Sequence, residues 1–289
     1  MKSFSIVGAG RLGTVLAAAL ARRGWQVEAI VDREAGAARE SRRIIGAGRA
    51  STSPAAAAKA KGAVIIAVPD RAVAGVARAL AGAGGRWAGR DVFHTSGLLT
   101  AEALSPLAAR GARVASLHPV QSFPRKDLPV AVVRGVTWGI EGGPEAAATA
   151  TAVVRALGGH VLLLAAGDKA LYHAACALAS NAFVALEWTA ARLLADVGMA
   201  EASAARTLLP LVQGTLQNVK SLGLEKALTG PILRGDTETV RRHLAALRGR
   251  PEARQVYKTL GRQVLGLAAQ GRALPAGRIK ALKRLLEGK

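Results

Sequence analysis

The segment Gly8-Ala9-Gly10-Arg11-Leu12-Gly13 constrains this chain more than any other. It follows an apolar run, Ser3–Val7, and opens an alanine-rich stretch, Arg11–Arg23, that reads as a helix. A GxGxxG sequence alone is a weak signal; between a strand and a helix it is the setting in which a dinucleotide binds. Gly8 permits the tight turn, Gly10 lets the backbone approach the pyrophosphate, and Gly13 lets helix and sheet pack closely. The helix N-terminus adds free N–H groups and partial positive charge for the phosphates.

The cofactor that this loop predicts is NAD or NADP. Asp32 ends the next strand-like run, Gln26–Val31, 19 residues after Gly13. A carboxylate there binds the adenosine ribose hydroxyls and favours NAD. Arg33 follows it, with Arg39, Arg42 and Arg43 close behind, and an arginine there meets the 2′-phosphate of NADP. The two signals conflict, and the sequence leaves both cofactors open.

The pattern continues as βαβ units. Ala63–Val68, Asp91–His94, Arg113–Leu117, Val136–Ile140 and His160–Leu164 read as further strands, with helical stretches between most of them. After Gly167 no convincing strand follows. Asp168–Val197, Glu201–Ser221, Thr237–Leu247, Glu252–Ala269 and Ala276–Leu286 read as helices, the second with a bend at Pro210. With 289 residues, two domains are expected. The predicted fold class is therefore α/β: an N-terminal Rossmann domain with a doubly wound parallel sheet over residues 1–166, then an all-α domain over residues 167–289 for substrate binding and dimerisation.

Several function classes are disfavoured. Cys176 is the one cysteine, which excludes an internal disulfide and a cysteine-rich metal site and suits a reducing, cytoplasmic setting. No metal site is expected. No stretch approaches the ~18 apolar residues of a membrane span. Leu12–Ala21 resembles a signal-peptide core, but Arg22-Arg23 stands where small residues would mark cleavage. The net charge of +21 invites an anionic partner. Yet the cations are scattered and only 3% of residues are aromatic, so nucleic acid is not the expected partner.

Ligands of open α/β sheets bind beyond the carboxyl ends of the strands. That places Val68-Pro69 and Asp70 by the nicotinamide half of the cofactor, although Asp70 also reads as a helix N-cap. It places His94, Ser96 and Gly97 after one strand, and His118 and Ser122 after the next. Lys169, His173, Cys176 and Ser180 fall at i, i+4, i+7 and i+11, one face of the first long helix, with Asn181 on its shoulder. This polar stripe in an apolar helix predicts the lining of a cleft.

Tyr172-His173-Ala174-Ala175, Ser180-Asn181 and the run Ala227–Asp236, together with Ser96-Gly97 and His118-Pro119…Ser122-Phe123, are motifs by which the chain resembles a bacterial family over essentially its whole length. That family joins a Rossmann-like domain to a C-terminal domain of unknown function, and some members resemble an alternative form of ketopantoate reductase. Wider relatives are the β-hydroxyacid dehydrogenases, 6-phosphogluconate dehydrogenase and pyrroline-carboxylate reductase. The dehydrogenases carry a catalytic lysine early in the long interdomain helix, matched by Lys169, and an asparagine four residues later, replaced here by His173. Thr229-Gly230-Pro231 is similar to the helix start with which pyrroline-carboxylate reductases hold the substrate carboxylate.

The resemblance implies an NAD(P)H-dependent oxidoreductase that reduces a small 2-oxo acid such as ketopantoate. Lys169, His173 and His118 are the catalytic candidates, and Ser96, Gly97, Ser122, Asn181 and Thr229 the substrate-binding ones. A pyrroline-carboxylate or imine reductase, and a dinucleotide-binding regulator without turnover, are the alternatives. A homodimer through the helical domain is expected, with Glu201–Ser221 as the interface helix.

Overall fold

A computed structural model describes residues 2–270 and 274–288. Its contacts divide the chain into two compact units, Met1–Ser180 and Asn181–Lys289. In the first unit, β1 (Ser3–Val7), α1 (Arg11–Ala21), β2 (Gln26–Val31), α2 (Ala35–Ile45), β3 (Arg49–Ser51), α3 (Ala55–Ala58), β4 (Ala63–Ile66), α4 (Asp70–Gly82), β5 (Asp91–His94), α5 (Ser105–Ala108) and β6 (Arg113–Pro119) follow one another. Then come β7 (Thr137–Gly142), α6 (Pro144–Leu157) and β8 (His160–Leu163).

The eight strands form one sheet in the order β3-β2-β1-β4-β5-β6-β7-β8. All neighbours are parallel except β6 and β7. Strand order reverses between β1 and β4, which is where such sheets open a crevice for a ligand. Parallel strands need both faces covered. On one face Leu16, Leu20, Val153 and Leu157 of α1 and α6 pack on Phe4, Ile6 and Trp138. On the other, Val73, Ala77 and Leu80 of α4 pack with Val64, Ile66 and Val92.

Two local features escaped the sequence pattern. Strand β3 has only three residues, Arg49-Ala50-Ser51, and too little apolar character to stand out. Its place is set by pairing with Ala29–Val31 of β2. Asp70 is the first residue of α4 rather than its N-cap, which is Pro69, and no side chain caps that end. The Asp70 carboxylate still favours the helix dipole from within the first turn.

The first long helix starts at α7 (Lys169–Ala177), widens into a π turn over Leu178–Ala182, and continues as α8 (Phe183–Asp196). Lys169, His173 and Cys176 keep their common face within α7. The extra residue of a π turn breaks that register, so Ser180 falls out of the stripe and is exposed. The helix over Ala166–Asp196 is long and apolar enough to cross a membrane by length and composition alone. This corrects the expectation that no segment approaches that length.

The second unit contains α8, α9 (Glu201–Ala227), α10 (Thr237–Ala246), α11 (Pro251–Gln270) and α12 (Ala276–Glu287). Helix α9 runs past the expected end at Ser221, but its backbone breaks at Gly223, where φ is +79°. Val240, Leu244, Leu265, Leu282 and Leu286 form this unit's apolar core around Ile232.

Candidate active site at the carboxyl edge of the sheet

The glycine loop is built by contact limits. A Cβ on Gly8, whose φ is +104°, would lie 2.4 Å from the Ala67 carbonyl oxygen, and a Cβ on Gly13 would lie 2.1 Å from the Gly8 oxygen. Both positions therefore need glycine for the α1–sheet approach. Gly10 differs: a Cβ there meets nothing within 4 Å. Its backbone is ordinary extended chain, and it precedes α1 without a side-chain cap. An uncapped helix end facing open space beside the switch point is a cradle that fits a pyrophosphate. Arg11 is exposed at this end, Leu12 half-buried and Ala9 buried.

Asp32 is tied to this loop. Its Oδ2 accepts from the Ala9 N–H at 2.8 Å and its Oδ1 from the Glu34 N–H at 3.0 Å. Each oxygen keeps a lone pair for a ribose hydroxyl. The Arg33 side chain is 90% exposed and, among the described residues, pairs with Glu34 at 3.5 Å, which leaves it able to swing to a 2′-phosphate. Val68 is half-buried and Pro69 exposed beyond β4.

Gly10→Ala is expected to leave the thermal unfolding curve unchanged and to abolish dinucleotide binding, because the methyl enters only the ligand's space. Equal NAD(P)H affinity in the variant and the wild type would refute the cradle. Asp32→Ser should shift preference toward NADPH in the same titration, since it removes negative charge beside Arg33.

Beyond β5 and β6 the polar groups form one network. Lys169 is 1% exposed, and its Nζ donates to the Ser96 carbonyl oxygen at 3.0 Å and to Ser116 Oγ at 2.5 Å. Ser116 is itself buried and donates to the same Ser96 oxygen at 3.2 Å. Burial pulls the Lys169 ammonium below the usual lysine range, with the charges of Glu141 and Asp70 opposing. Glu141 is buried on β7, directly across from Ser116, and accepts from the Ala101 N–H at 2.7 Å.

Ser96 is committed to the turn: its hydroxyl oxygen accepts from the N–H groups of Leu98 and Leu99 at 3.1 and 2.9 Å. His94 is fully buried. Its Nδ1 accepts from the Ser96 N–H at 3.2 Å, which leaves Nε2–H to donate to the Thr100 oxygen at 2.9 Å. Burial lowers its pKa to about 4, so it holds the loop as a neutral ring.

His118 lies where the network opens. Its Nδ1 is 2.8 Å from the Tyr172 hydroxyl, and its ring meets that of His173 edge-on at 5.8 Å. Gly97 makes room for both imidazoles, since a Cβ there would lie 2.4 Å from His173 Cδ2 and 2.9 Å from His118 Nε2. Burial first, then the charges of Lys169, His173 and His94, lower the His118 pKa to about 4. Lys169, His118, His173, Ser96 and Gly97 are thus brought together. Ser122 is exposed and its N–H donates to Gln121 Oε1. Asn181 and Thr229 are exposed in the second unit.

Tyr172, Ser116 and Glu141 carry no individual signal of function in the sequence. Tyr172 stands next to His173 in a recognised motif and could have been found there. Ser116 and Glu141 sit inside apolar strands, where a lone polar residue gives no signal until strand pairing is known.

Two histidines with depressed pKa values make stability acid-sensitive. Neutral in the fold and protonated when unfolded, they contribute fully above about pH 6.5, and that contribution is lost as pH falls toward about 4. Urea unfolding is expected to weaken by a few kcal/mol across that window, on the order of 1.4 kcal/mol per unit per histidine as an upper bound. A midpoint that stays flat there would contradict the neutral assignment.

A family model for a Rossmann-like domain matches residues 2–119, and one for a domain of unknown function, DUF2520, matches residues 136–264. The chain joins a Rossmann-like domain to DUF2520. The DUF2520 segment begins at the approach to β7, so the end of the sheet belongs to it. No curated protein matches the sequence. Among solved structures, a protein from Thermotoga maritima is 25% identical, covers 93% of this chain and 99% of its own, and superposes with a TM-score of 0.74. A candidate NADP oxidoreductase from Bacteroides fragilis is 24% identical over 91% of this chain and 97% of its own, with a TM-score of 0.74. A reductive aminase from Aspergillus terreus, solved with NADPH and ethyl-5-oxohexanoate, is 18% identical over 100% and 93%, with a TM-score of 0.62. The chain thus shares its fold with proteins described as NADP(H)-linked oxidoreductases.

Proposed function

We propose that the chain reduces a small 2-oxo acid with NADPH or NADH, as a ketopantoate-type reductase does. Residues 1–166 hold the dinucleotide and residues 167–289 serve substrate binding and assembly. The observation that carries this reading is the neutral His118 beside His173 and the buried Lys169, on the same sheet edge as an open glycine cradle.

A bound nicotinamide supplies the hydride for the carbonyl carbon. As the C=O π electrons move to oxygen, His118 Nε2–H polarises that oxygen by hydrogen bonding. A neutral imidazole can do this without first surrendering a proton, as in other enzymes that keep a histidine neutral. Lys169 stabilises the growing negative charge through the network rather than by contact, because its ammonium is enclosed. His173, whose ring meets that of His118 edge-on beside Gly97, orients the substrate, and the final proton comes from solvent. Ser96, Gly97, Ser122, Asn181 and Thr229 remain the candidates to position the substrate carboxylate.

Imine reduction is the second reading, since the Aspergillus terreus reductive aminase and a Streptomyces aurantiacus imine reductase share the fold. The charge at the site favours the oxo acid: the Lys169 ammonium repels a cationic iminium and attracts a carboxylate. Cofactor oxidation over a panel of 2-oxo acids and cyclic imines tests the choice. Turnover confined to imines would move the assignment, and dinucleotide binding without turnover of any member would favour a regulatory role.

We also place the protein in the cytoplasm and expect a homodimer through the helices. Leu171, Leu178, Val184 and Trp188 on the first long helix are 77%, 70%, 65% and 56% exposed, and Leu211 and Leu224 on α9 are 69% and 67% exposed. Apolar surface of this extent is uncommon on a monomer. Sedimentation at micromolar concentration should give a dimer, and a monomer there would count against it.

A further inference from the structure

Tyr172 has no part in the reaction as proposed, yet the site is built around it. Its hydroxyl is 2.8 Å from His118 Nδ1 and 3.4 Å from the His118 carbonyl oxygen, and its ring stands perpendicular to the imidazole. Gly139 on β7 leaves the slot for it: a Cβ there would lie 2.7 Å from both the Tyr172 hydroxyl and Cζ, and 2.9 Å from Leu164 Cδ1. The same strand pair sets the level, because Gly139 is the partner of His118 across β6 and β7. A glycine opposite a histidine, with a tyrosine ring laid against it, fixes the hydroxyl against one chosen ring nitrogen.

We propose that Tyr172 is a positioning residue that holds His118 in its Nε2–H tautomer by donating its own proton to Nδ1. This rests on the reading of His118 as the group that faces the substrate oxygen. A neutral imidazole has one donor and one acceptor nitrogen, and the bond made by one sets the role of the other. With Nδ1 engaged as acceptor, Nε2 carries the hydrogen and can polarise a carbonyl. The opposite tautomer would turn a lone pair toward that oxygen and repel it.

Tyr172 does not serve as a proton donor that ionises. Burial, together with Cys176 beside it, pushes its ionisation above the usual tyrosine range, so the hydroxyl keeps its hydrogen. The groups facing the His118 ring are Lys169, His173 and His94, which oppose its protonation by charge. Tyr172 adds a bond that protonation of Nδ1 would break.

The test is 15N NMR of the histidine rings in the full chain, for the wild type and for Tyr172→Phe, across acid to neutral pH. Phenylalanine keeps the ring in the Gly139 slot and removes only the hydroxyl. The wild type should show His118 with a protonated Nε2 and an unprotonated Nδ1. Tyr172→Phe should move both shifts toward a mixture of tautomers and raise the His118 pKa from about 4 toward the ordinary histidine value. Gly139→Ala, which displaces the tyrosine without altering its chemistry, should do the same. With a substrate in hand, Tyr172→Phe should lower kcat by roughly tenfold or more at little cost in KM, because a wrong tautomer impairs only the charged transition state. A wild-type His118 with hydrogen on Nδ1, or shifts unchanged in Tyr172→Phe, overturns the proposal. The NMR result stands whether or not any 2-oxo acid is turned over, so its failure is separable from failure of the functional reading.

Discussion

His118→Ala is expected to lower kcat for a 2-oxo acid by about 10²–10⁴-fold, the range for losing a positioned donor to the reacting oxygen. Its ring is half-buried at the end of β6, beside Gly97 and His173, on the edge that carries the glycine loop. The depressed pKa, about 4, means the ring is neutral throughout the working range. The wild-type rate should therefore show no descending acid limb until well below the ordinary histidine value. NAD(P)H affinity should survive the substitution, because the cradle at Gly8–Gly13 makes no use of His118. His118→Gln offers an N–H without the titration and should recover part of the rate. A variant that keeps wild-type turnover would remove His118 from the mechanism.

Lys169→Ala is expected to lose turnover by a smaller factor, about 10–100-fold because it acts through the network, and to lose stability as well. The ammonium is enclosed and donates to Ser96 and Ser116 at 3.0 and 2.5 Å. Removing it opens a void, withdraws the donor from two buried acceptors, and leaves the Glu141 carboxylate without a nearby cation. Together these amount to about 3 kcal/mol of unfolding free energy. Lys169→Met fills most of the volume and separates the two effects: stability should largely return, while turnover should not. The measurements are urea unfolding and steady-state rates on both variants. If Lys169→Met turned over like the wild type, Lys169 would be a structural pin and nothing more.

How legible was this in the sequence? The glycine loop was fully legible, because tight backbone approach leaves few residues other than glycine, and three of them fell at the diagnostic spacing. The longer strands were legible as apolar runs between helical stretches. Strand β3 was not, since Arg49-Ala50-Ser51 is a strand only by virtue of its neighbour. The antiparallel turn of β7 against β6 leaves no local trace either, yet it sets Glu141 opposite Ser116 and Gly139 opposite His118. The stripe on the first long helix keeps one face from Lys169 to Cys176. It fails at Ser180, because an α-helical period cannot anticipate a π turn. Lys169 stands out in the polar stripe and by resemblance, but its enclosure leaves no trace in the sequence: burial of a lysine depends on acceptors, and these are Ser96 in the loop after β5 and Ser116 in β6.

The central claim is hydride transfer to a small oxo acid at the carboxyl edge of the sheet. Its most direct measurement is a single-turnover experiment, with enzyme in excess over NADPH or NADH and ketopantoate or another small 2-oxo acid added. The account predicts rapid loss of the reduced-nicotinamide absorbance, in step with formation of the 2-hydroxy acid, and a loss slowed by two to four decades in His118→Ala. Persistence of the reduced nicotinamide with every 2-oxo acid, in a protein that binds the dinucleotide, would contradict it.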